Sequence, residues 1–244
     1  MALNQFGFHI KYYPNELSVE HYMVTDKCSR DDAMERDERE NWRWISSDFC
    51  YETRCVCALY ERFFGIMRKA PFRKMLVVCV PDIQYETGSN LIGVYAVQVP
   101  FDYNEYLKLS VIQKKRVILN TLMTCIRQAV AETGLQMDQF EMAYNKVIEA
   151  NFVNEWRAHK NVLNRTKDYS ADLLMQHSLR SMDFTVVIRN KKKEEVYREL
   201  IISARPDEHN YSTCLGKFQW CSDDEIALVN IFGDNQWVVR IPPS

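Results

Sequence analysis

The stretch from Ser110 to Trp156 constrains the fold of this chain most strongly, because its pattern predicts two consecutive helices. Ser110 and Gln113 have the spacing of a capping box, in which two side chains satisfy backbone N–H groups at a helix start. Gly134 offers the left-handed residue with which many helices end. Between these signals, apolar residues recur at the spacing of one helix face: Ile118, Leu119, Leu122, Ile126 and Val130.

A second helix is predicted to begin at another capping box, formed by Asp138 and Glu141. Its apolar stripe continues towards the end of the stretch: Phe140, Tyr144, Val147, Ile148, Phe152 and Trp156. A helical hairpin with two apolar faces must cover other apolar structure, and this requirement predicts a sheet. An earlier long helix is predicted by the charge-dense stretch Asp26–Glu40 and by apolar residues that follow it at helical spacing from Trp42 to Met67. This helix is expected to end near Lys69.

The remaining apolar runs predict strands. Phe6–Tyr13 alternates weakly, while Met75–Val80 and Leu91–Val99 are apolar at consecutive positions, which is typical of strands covered on both faces. Six further runs follow His159: Leu173–Leu179, Phe184–Arg189, Val196–Ser203, Gly216–Trp220, Ile226–Phe232 and Trp237–Ile241. Gly233–Asn235 is predicted to be a three-residue hairpin loop between the last two runs.

These elements predict an α+β fold, in which long helices pack against a mostly antiparallel sheet and the C-terminal part forms a β-meander. We expect a single α+β domain over residues 1–244. A possible sub-division near residue 100 would separate an α/β portion, residues 1–100, from the helical hairpin and β-meander, residues 101–244.

Composition and charge argue against several classes of protein. The formal net charge is −2, so the chain as a whole has no strong attraction to nucleic acid or to an anionic membrane. The apolar run Met75–Val80 is far shorter than the ~20 residues of a membrane-spanning helix, and Met1–Phe6 lacks the features of a signal peptide. The eight cysteines are therefore expected to be reduced. We expect a soluble, cytoplasmic protein.

Motifs for nucleotide, metal or covalent chemistry are incomplete. Gly88 and Gly93 have the spacing of a phosphate-binding loop, but the required lysine and hydroxyl residue do not follow. Cys55 and Cys57 would point about 200° apart on a helix, so they could not hold one ion there. The Gly-x-Ser-x-Gly motif of hydrolases is also missing. We expect no cofactor, no metal site and no catalytic motif.

The segment Asp26–Glu40 is charge-dense, with seven acidic and four basic residues. One interpretation is a solvated helix face, held by weak ion pairs at helical spacing such as Asp32–Arg36 and Glu35–Arg39.

The other interpretation is an acidic docking surface for a basic protein partner. Three carboxylates share one side of the predicted helix, and two tryptophans follow it. Residues two apart on a helix cannot both face the core, so one of these tryptophans is available as an anchor. The candidate partner-binding residues are Asp31, Asp32, Glu35, Glu38, Trp42 and Trp44.

The sequence therefore favours a non-catalytic, cytoplasmic protein-binding protein. By analogy alone, its profile is that of an inhibitor or immunity-type protein that neutralises a basic toxin or nuclease. One alternative is a hydrolase or nuclease whose site is assembled from sequence-distant residues. A weaker alternative is an RNA-binding accessory protein that uses the region Trp156–Tyr169, with its basic residues Arg157, Lys160, Arg165 and Lys167.

Overall fold

The computed structural model describes residues 1–242, and of His209 it describes the backbone alone. The chain forms two compact units, Met1–Phe152 and Val153–Ser244, and each is described below by itself. The possible boundary near residue 100 falls inside the first unit, at the end of a strand. The expectation of one continuous domain stays a prediction.

The first unit contains both helices and strands. Its strands are β1 (Ala2–Leu3), β2 (Gln5–Ile10), β3 (Met67–Arg68), β4 (Lys74–Val80), β5 (Ser89–Leu91) and β6 (Val94–Pro100). Its helices are α1 (Glu16–Asp26), α2 (Arg30–Asp37), α3 (Arg43–Phe64), α4 (Tyr103–Leu107), α5 (Val111–Thr133) and α6 (Asp138–Glu149). A π turn, Glu38–Trp42, joins α2 to α3, so the chain is helical without a break from Arg30 to Phe64.

The long helix ends earlier than the sequence predicts. Gly65 follows it with a φ of 70°, a backbone angle that glycine adopts without steric cost. Met67–Arg68 then forms β3, which pairs with β1, so the predicted continuation to Lys69 is wrong.

The main sheet of the first unit has the strand order β2-β4-β6-β5. β2, β4 and β6 are mutually parallel, and β5 runs antiparallel to β6. α3 packs against β2, and α5 packs against β4 and β6. Burial alternates along β4, where Met75, Val77 and Cys79 are buried while Leu76 and Val78 are half-buried. The expectation that this strand is fully covered on both faces is therefore wrong.

The helical hairpin is largely as predicted at its first helix. The backbone N–H of Ser110 donates to Oε1 of Gln113 at 2.9 Å, and Gly134 ends α5 in the left-handed conformation. α6, in contrast, follows Met137 and has no side-chain cap, so the predicted box of Asp138 and Glu141 is wrong.

The second helix of the hairpin covers another helix more than the sheet. α6 packs against α3, and the ring centroids of Phe64 and Phe140 lie 5.0 Å apart. α6 ends at Glu149, after which Asn151 and Phe152 adopt φ values of 47° and 57°. Trp156, predicted to extend the stripe of this helix, instead lies in a strand.

The second unit consists of two antiparallel sheets. Its elements are β7 (Glu155–Leu163), β8 (Tyr169–His177), β9 (Met182–Asn190), β10 (Glu195–Ala204), α7 (Glu208–Ser212), β11 (Lys217–Trp220), β12 (Glu225–Val229) and β13 (Gln236–Arg240). The first sheet is the meander β10-β9-β8-β7, and the second has the order β11-β12-β13. Phe184 and Val186 from the first share a core with Ile226, Leu228 and Val239 from the second.

The predicted α+β class and its C-terminal meander are confirmed, with two differences in the second unit. β7 replaces the predicted tail of a helix. The loop before β13 is longer than the predicted three residues, because β12 ends at Val229. In that loop the Asn230 side chain accepts from the backbone N–H of Gly233 at 2.8 Å. No helix within residues 1–242 has the length and apolar character needed to cross a bilayer.

Candidate functional site

The candidate site lies where β2 ends beside the π turn. Along this helix Ala33 and Asp37 are buried four residues apart, and Trp42 is buried five residues later. An uninterrupted α-helix would place Trp42 about 140° around the axis from Asp37. In the π turn the N–H of Arg43 instead bonds the carbonyl of Glu38, five residues earlier. This extra residue turns Trp42 into the core, and π turns of this kind often mark functional sites.

Trp42 is enclosed by aromatic rings. Its ring centroid lies 5.9 Å from that of Tyr12, 5.6 Å from that of Tyr13 and 5.6 Å from that of Tyr103. The side chain is 7% exposed, and its Nε1–H finds no acceptor among the described residues. A buried donor without an acceptor is costly, so a native structure that keeps one calls for an explanation.

Trp44 differs from Trp42 in burial. It is 67% exposed, although it lies only two residues further along the same helix. Side chains two residues apart on a helix diverge by about 200°, which accounts for the difference. The sequence prediction that only one of the two tryptophans faces the core is confirmed.

Asp37 is a structural acid at this site. Its carboxylate accepts hydrogen bonds from the Tyr12 hydroxyl at 2.7 Å, from Nδ2 of Asn41 at 2.8 Å and from the backbone N–H of Asn15 at 3.1 Å. Burial by itself would raise the pKa of Asp37, but these hydrogen bonds outweigh burial and lower the pKa below its usual value. Asp37 therefore ties the long helix to the chain that leaves β2.

Two clefts flank Trp42 in the first unit. The first, which we call the Trp42 cleft, has a volume of about 550 Å³, and its lining includes His9, Lys11, Glu35, Glu38, Arg39, Trp42 and Arg43. The second has a volume of about 480 Å³ and includes Asp37, Asn41 and Tyr103. Both volumes lie in the range of small-ligand sites, which is about 300–1,000 Å³.

Three of the four predicted carboxylates form what we call the acidic stripe, consisting of Asp31, Glu35 and Glu38. All three are exposed, and their side chains make no hydrogen bond or ion pair with any residue from 1 to 242. Asp32 has a different role, because its carboxylate accepts from the Ser29 hydroxyl at 2.6 Å in the capping box of α2. The structure therefore groups Glu35, Glu38 and Trp42 in one cleft and assigns Asp32 to the helix start.

The ion pairs that the sequence predicts along this helix are replaced by others. Arg36 bonds Asp26 and also Glu40, the latter from Nε to Oε1 at 3.0 Å. Arg39 lies 3.6 Å from the same carboxylate of Glu40. Glu35 consequently forms no ion pair in the described part of the chain.

The Trp42 cleft is also lined by basic residues. Burial lowers the pKa of His9, the positive charge of Lys11 lowers it further, and the negative charge of Glu38 partly opposes both effects. His9 therefore lies within electrostatic range of a cation and an anion of the same cleft. Sequence patterns could not reveal this arrangement, since Lys11 and Glu38 come from distant parts of the chain.

Features suggestive of catalysis have structural roles. Burial raises the pKa of Cys55 to about 11 and that of Cys125 to about 12, so both thiols are protonated at neutral pH. The N–H of Gly88 donates to Oε2 of Glu132 at 2.9 Å, which makes it part of a packed loop. Residues 1–242 contain no group of three or more His, Cys, Asp or Glu side chains arranged to hold a metal.

The basic region considered for RNA lies on an edge strand of the meander. β7 pairs with β8 on one side, and its register is irregular between Arg157 and Val162. Nη1 of Arg157 lies 3.5 Å from Oδ2 of Asp172, an ion pair within the sheet. Charged side chains and irregular pairing both protect an edge strand from aggregation, so the basic pattern has a structural explanation.

Comparison of this chain with protein-family models, with curated proteins and with solved structures finds no match.

Proposed function

We propose that this chain is a non-catalytic protein-binding protein of the cytoplasm, which holds a basic protein partner on the acidic stripe and the adjoining Trp42 cleft. The observation that carries the proposal is the acidic stripe, whose exposed carboxylates bond no described residue of the chain. Among the forms that this function could take, we favour an inhibitor or immunity-type role, in which the chain neutralises a basic toxin or nuclease. The hydrolase, nuclease and RNA-binding alternatives stay predictions without a specific observation in their favour.

The distribution of charge supports this proposal. Residues 16–40 contain nine acidic and four basic residues, whereas the whole chain has a net charge of only −2. A local excess of one sign attracts an oppositely charged partner over several ångströms and accelerates association. The effect is screened within a Debye length of about 8 Å at physiological salt.

The acidic residues differ in whether the fold needs them. Asp31 and Asp32 lie in the first turn of α2, where negative charge stabilises the helix dipole. Glu35 and Glu38 lie beyond that turn and make no ion pair in the described chain, so the helix gains little from their charge. Binding is therefore the better explanation for Glu35 and Glu38.

Charge alone would give weak binding, because an exposed ion pair is worth about 0–1 kcal/mol. Stable interfaces also need a pocket or an aromatic anchor in which water is excluded. The Trp42 cleft supplies a concave surface directly beside Glu35 and Glu38. Trp44 lies on another side of the helix, so it contributes only if the partner extends around that helix.

The proposal is tested with two matched double variants. Glu35→Lys/Glu38→Lys reverses two charges at the cleft, and Glu141→Lys/Glu149→Lys reverses two exposed helix charges on α6. Both variants raise the net charge by the same amount, so non-specific repulsion of a cationic probe is equal in the two. The probe is a fluorescent peptide of alternating arginine and alanine, and its binding is followed by anisotropy.

The parent and the α6 variant are expected to bind the probe at low salt and to bind it about tenfold more weakly near 0.15 M salt. The cleft variant is expected to lose this binding. An equal loss in both variants would show that only net charge matters and would refute the assignment of the surface. Proteins captured from a lysate of the source should then show the same difference between the two variants.

A further inference from the structure

The Trp42 cleft carries unpaired charges of both signs. Glu35 and Glu38 supply the negative charges, and Lys11 and Arg43 supply positive ones. Arg39 also lines the cleft, but its guanidinium is paired with Glu40 at 3.6 Å. The side chains of the two glutamates, Lys11 and Arg43 form no hydrogen bond or ion pair within the described residues. Opposite charges that share one cleft without pairing are complementary to a ligand that itself carries both signs.

Trp42, whose ring lines the cleft, also has an unused hydrogen-bond donor. Nε1 of Trp42 is buried and has no acceptor among residues 1–242. Two of the tyrosines that pack against Trp42 already use their hydroxyls, since Tyr12 donates to Asp37 at 2.7 Å and Tyr13 donates to the carbonyl of Phe101. A ligand carbonyl would satisfy the indole N–H if the Trp42 ring turned slightly to expose it to the cleft, and this requirement is independent of the charges.

We propose that the Trp42 cleft binds one short peptide segment of the partner, which carries a basic and an acidic side chain close together. The basic side chain contacts Glu35 and Glu38, the acidic side chain contacts Lys11 and Arg43, and a main-chain carbonyl accepts from Trp42. This inference rests on the proposed function and specifies the sequence that the partner presents.

A segment with charge of one sign fits the cleft less well. A purely basic segment leaves its charges facing Lys11 and Arg43, and a purely acidic segment faces Glu35 and Glu38 in the same way. The cleft volume of about 550 Å³ is that of a site for a small ligand, so only a short segment of the partner can enter it.

The test compares capped peptides by calorimetry. The two doubly charged peptides are acetyl-Arg-Ala-Glu-amide and acetyl-Arg-Ala-Ala-Glu-amide. In the singly charged controls of each peptide, Gln replaces either the Glu or the Arg. We expect the better of the two doubly charged peptides to bind about tenfold more tightly than either of its singly charged controls. Equal affinities, tighter binding of the Arg-Ala-Gln control, or no binding of any of these peptides at millimolar concentration would overturn the inference.

Matched variants separate this inference from the proposed function. Lys11→Gln/Arg43→Gln should abolish the preference for glutamate in the peptide, and the Arg-Ala-Gln control should bind at least as tightly as before, because two repelling cations are gone. Lys192→Gln/Lys193→Gln, at an exposed hairpin tip, removes the same charge and should change neither affinity. If the first variant keeps the preference, the inference fails. In that case the arginine–alanine probe can still bind the parent and fail to bind the Glu35→Lys/Glu38→Lys variant. The proposed function then stands although the inference about the peptide fails.

The contact with Trp42 is read from the indole N–H signals of ¹⁵N-labelled protein. The chain has five tryptophans, and Trp42→Phe identifies the signal of interest by removing it. Addition of the doubly charged peptide should shift the Trp42 signal downfield, as a new hydrogen bond forms. The signal of Trp220, whose Nε1 already donates to the Val162 carbonyl at 2.8 Å, should not move. A peptide that binds without shifting the Trp42 signal would remove the carbonyl contact from the inference.

Discussion

The backbone N–H of Phe6 donates to Oε1 of Glu61 at 2.7 Å, so a side chain of the long helix occupies the open edge of the parallel sheet. The carbonyl of Phe6 accepts from Nη1 of Arg54 at 2.8 Å, and Arg54 and Glu61 also form an ion pair. β2 is an edge strand, whose outward backbone groups otherwise require water or another strand. The same helix that carries the acidic stripe therefore also completes the sheet beneath it.

Glu61→Ala should destabilise the protein by about 1–3 kcal/mol, because it leaves the N–H of Phe6 without its acceptor and removes the carboxylate that pairs with Arg54. Urea unfolding measures the change, with Glu141→Ala on α6 as the control. That control should stay within about 0.5 kcal/mol of the parent, since Glu141 is exposed. Equal effects of the two substitutions would refute the structural role of Glu61.

A largely buried ion pair joins α3 to α5. Nζ of Lys114 lies 3.2 Å from Oε2 of Glu52, and the Tyr106 hydroxyl donates to the same oxygen at 2.7 Å. Lys114→Met should cost about 3 kcal/mol, because it removes the ammonium group that lies against a largely buried carboxylate. Adding Glu52→Gln to it should cost less than the sum of the two single changes. Strict additivity in urea unfolding would show that the two groups are not coupled.

Asp37 predicts a dependence of stability on pH. Its pKa is lowered in the folded state, so it contributes stability above its unfolded pKa of about 3.9, and this contribution is lost as pH falls through the folded value. Asp37→Asn should cost about 1–3 kcal/mol at pH 7, since the hydrogen bonds from Tyr12 and Asn15 lose a charged acceptor. Below pH 4 the difference between variant and parent should shrink. A difference that is constant in urea unfolding between pH 7 and pH 3 would contradict this assignment.

Much of the fold could be predicted because its signals are local. The capping box at Ser110, the glycine stop at Gly134 and the alternation of Trp237, Val239 and Ile241 each depend on neighbouring residues only. The π turn could not be predicted, since an unbroken 3.6-residue period was assumed along the long helix. β7 was missed for a related reason, as its exposed edge carries charges in place of an apolar alternation.

The candidate site was predictable only in part. Charge spacing identified Glu35 and Glu38, but it gave no means of separating them from Asp32, whose carboxylate the helix start uses. Lys11 and Arg43 were not predicted as part of the site. Lys11 could not be, because β2 brings it to the helix over a long sequence separation. The unused N–H of Trp42 depends on three-dimensional packing, and no spacing rule reports it.

Trp42→Phe should change stability by less than about 1 kcal/mol, although the side chain is buried. The substitution loses buried ring area worth about 1–2 kcal/mol, and it also removes a buried donor whose desolvation costs about 1–3 kcal/mol. The two effects have opposite signs and similar size. Trp220→Phe is the comparison, because it loses ring area together with a satisfied hydrogen bond and should cost about 2 kcal/mol or more. Urea unfolding measures both changes in the free energy of unfolding. Equal losses for the two variants would show that Nε1 of Trp42 already has a hydrogen-bond acceptor in solution, and the case for a ligand carbonyl at that atom would fail.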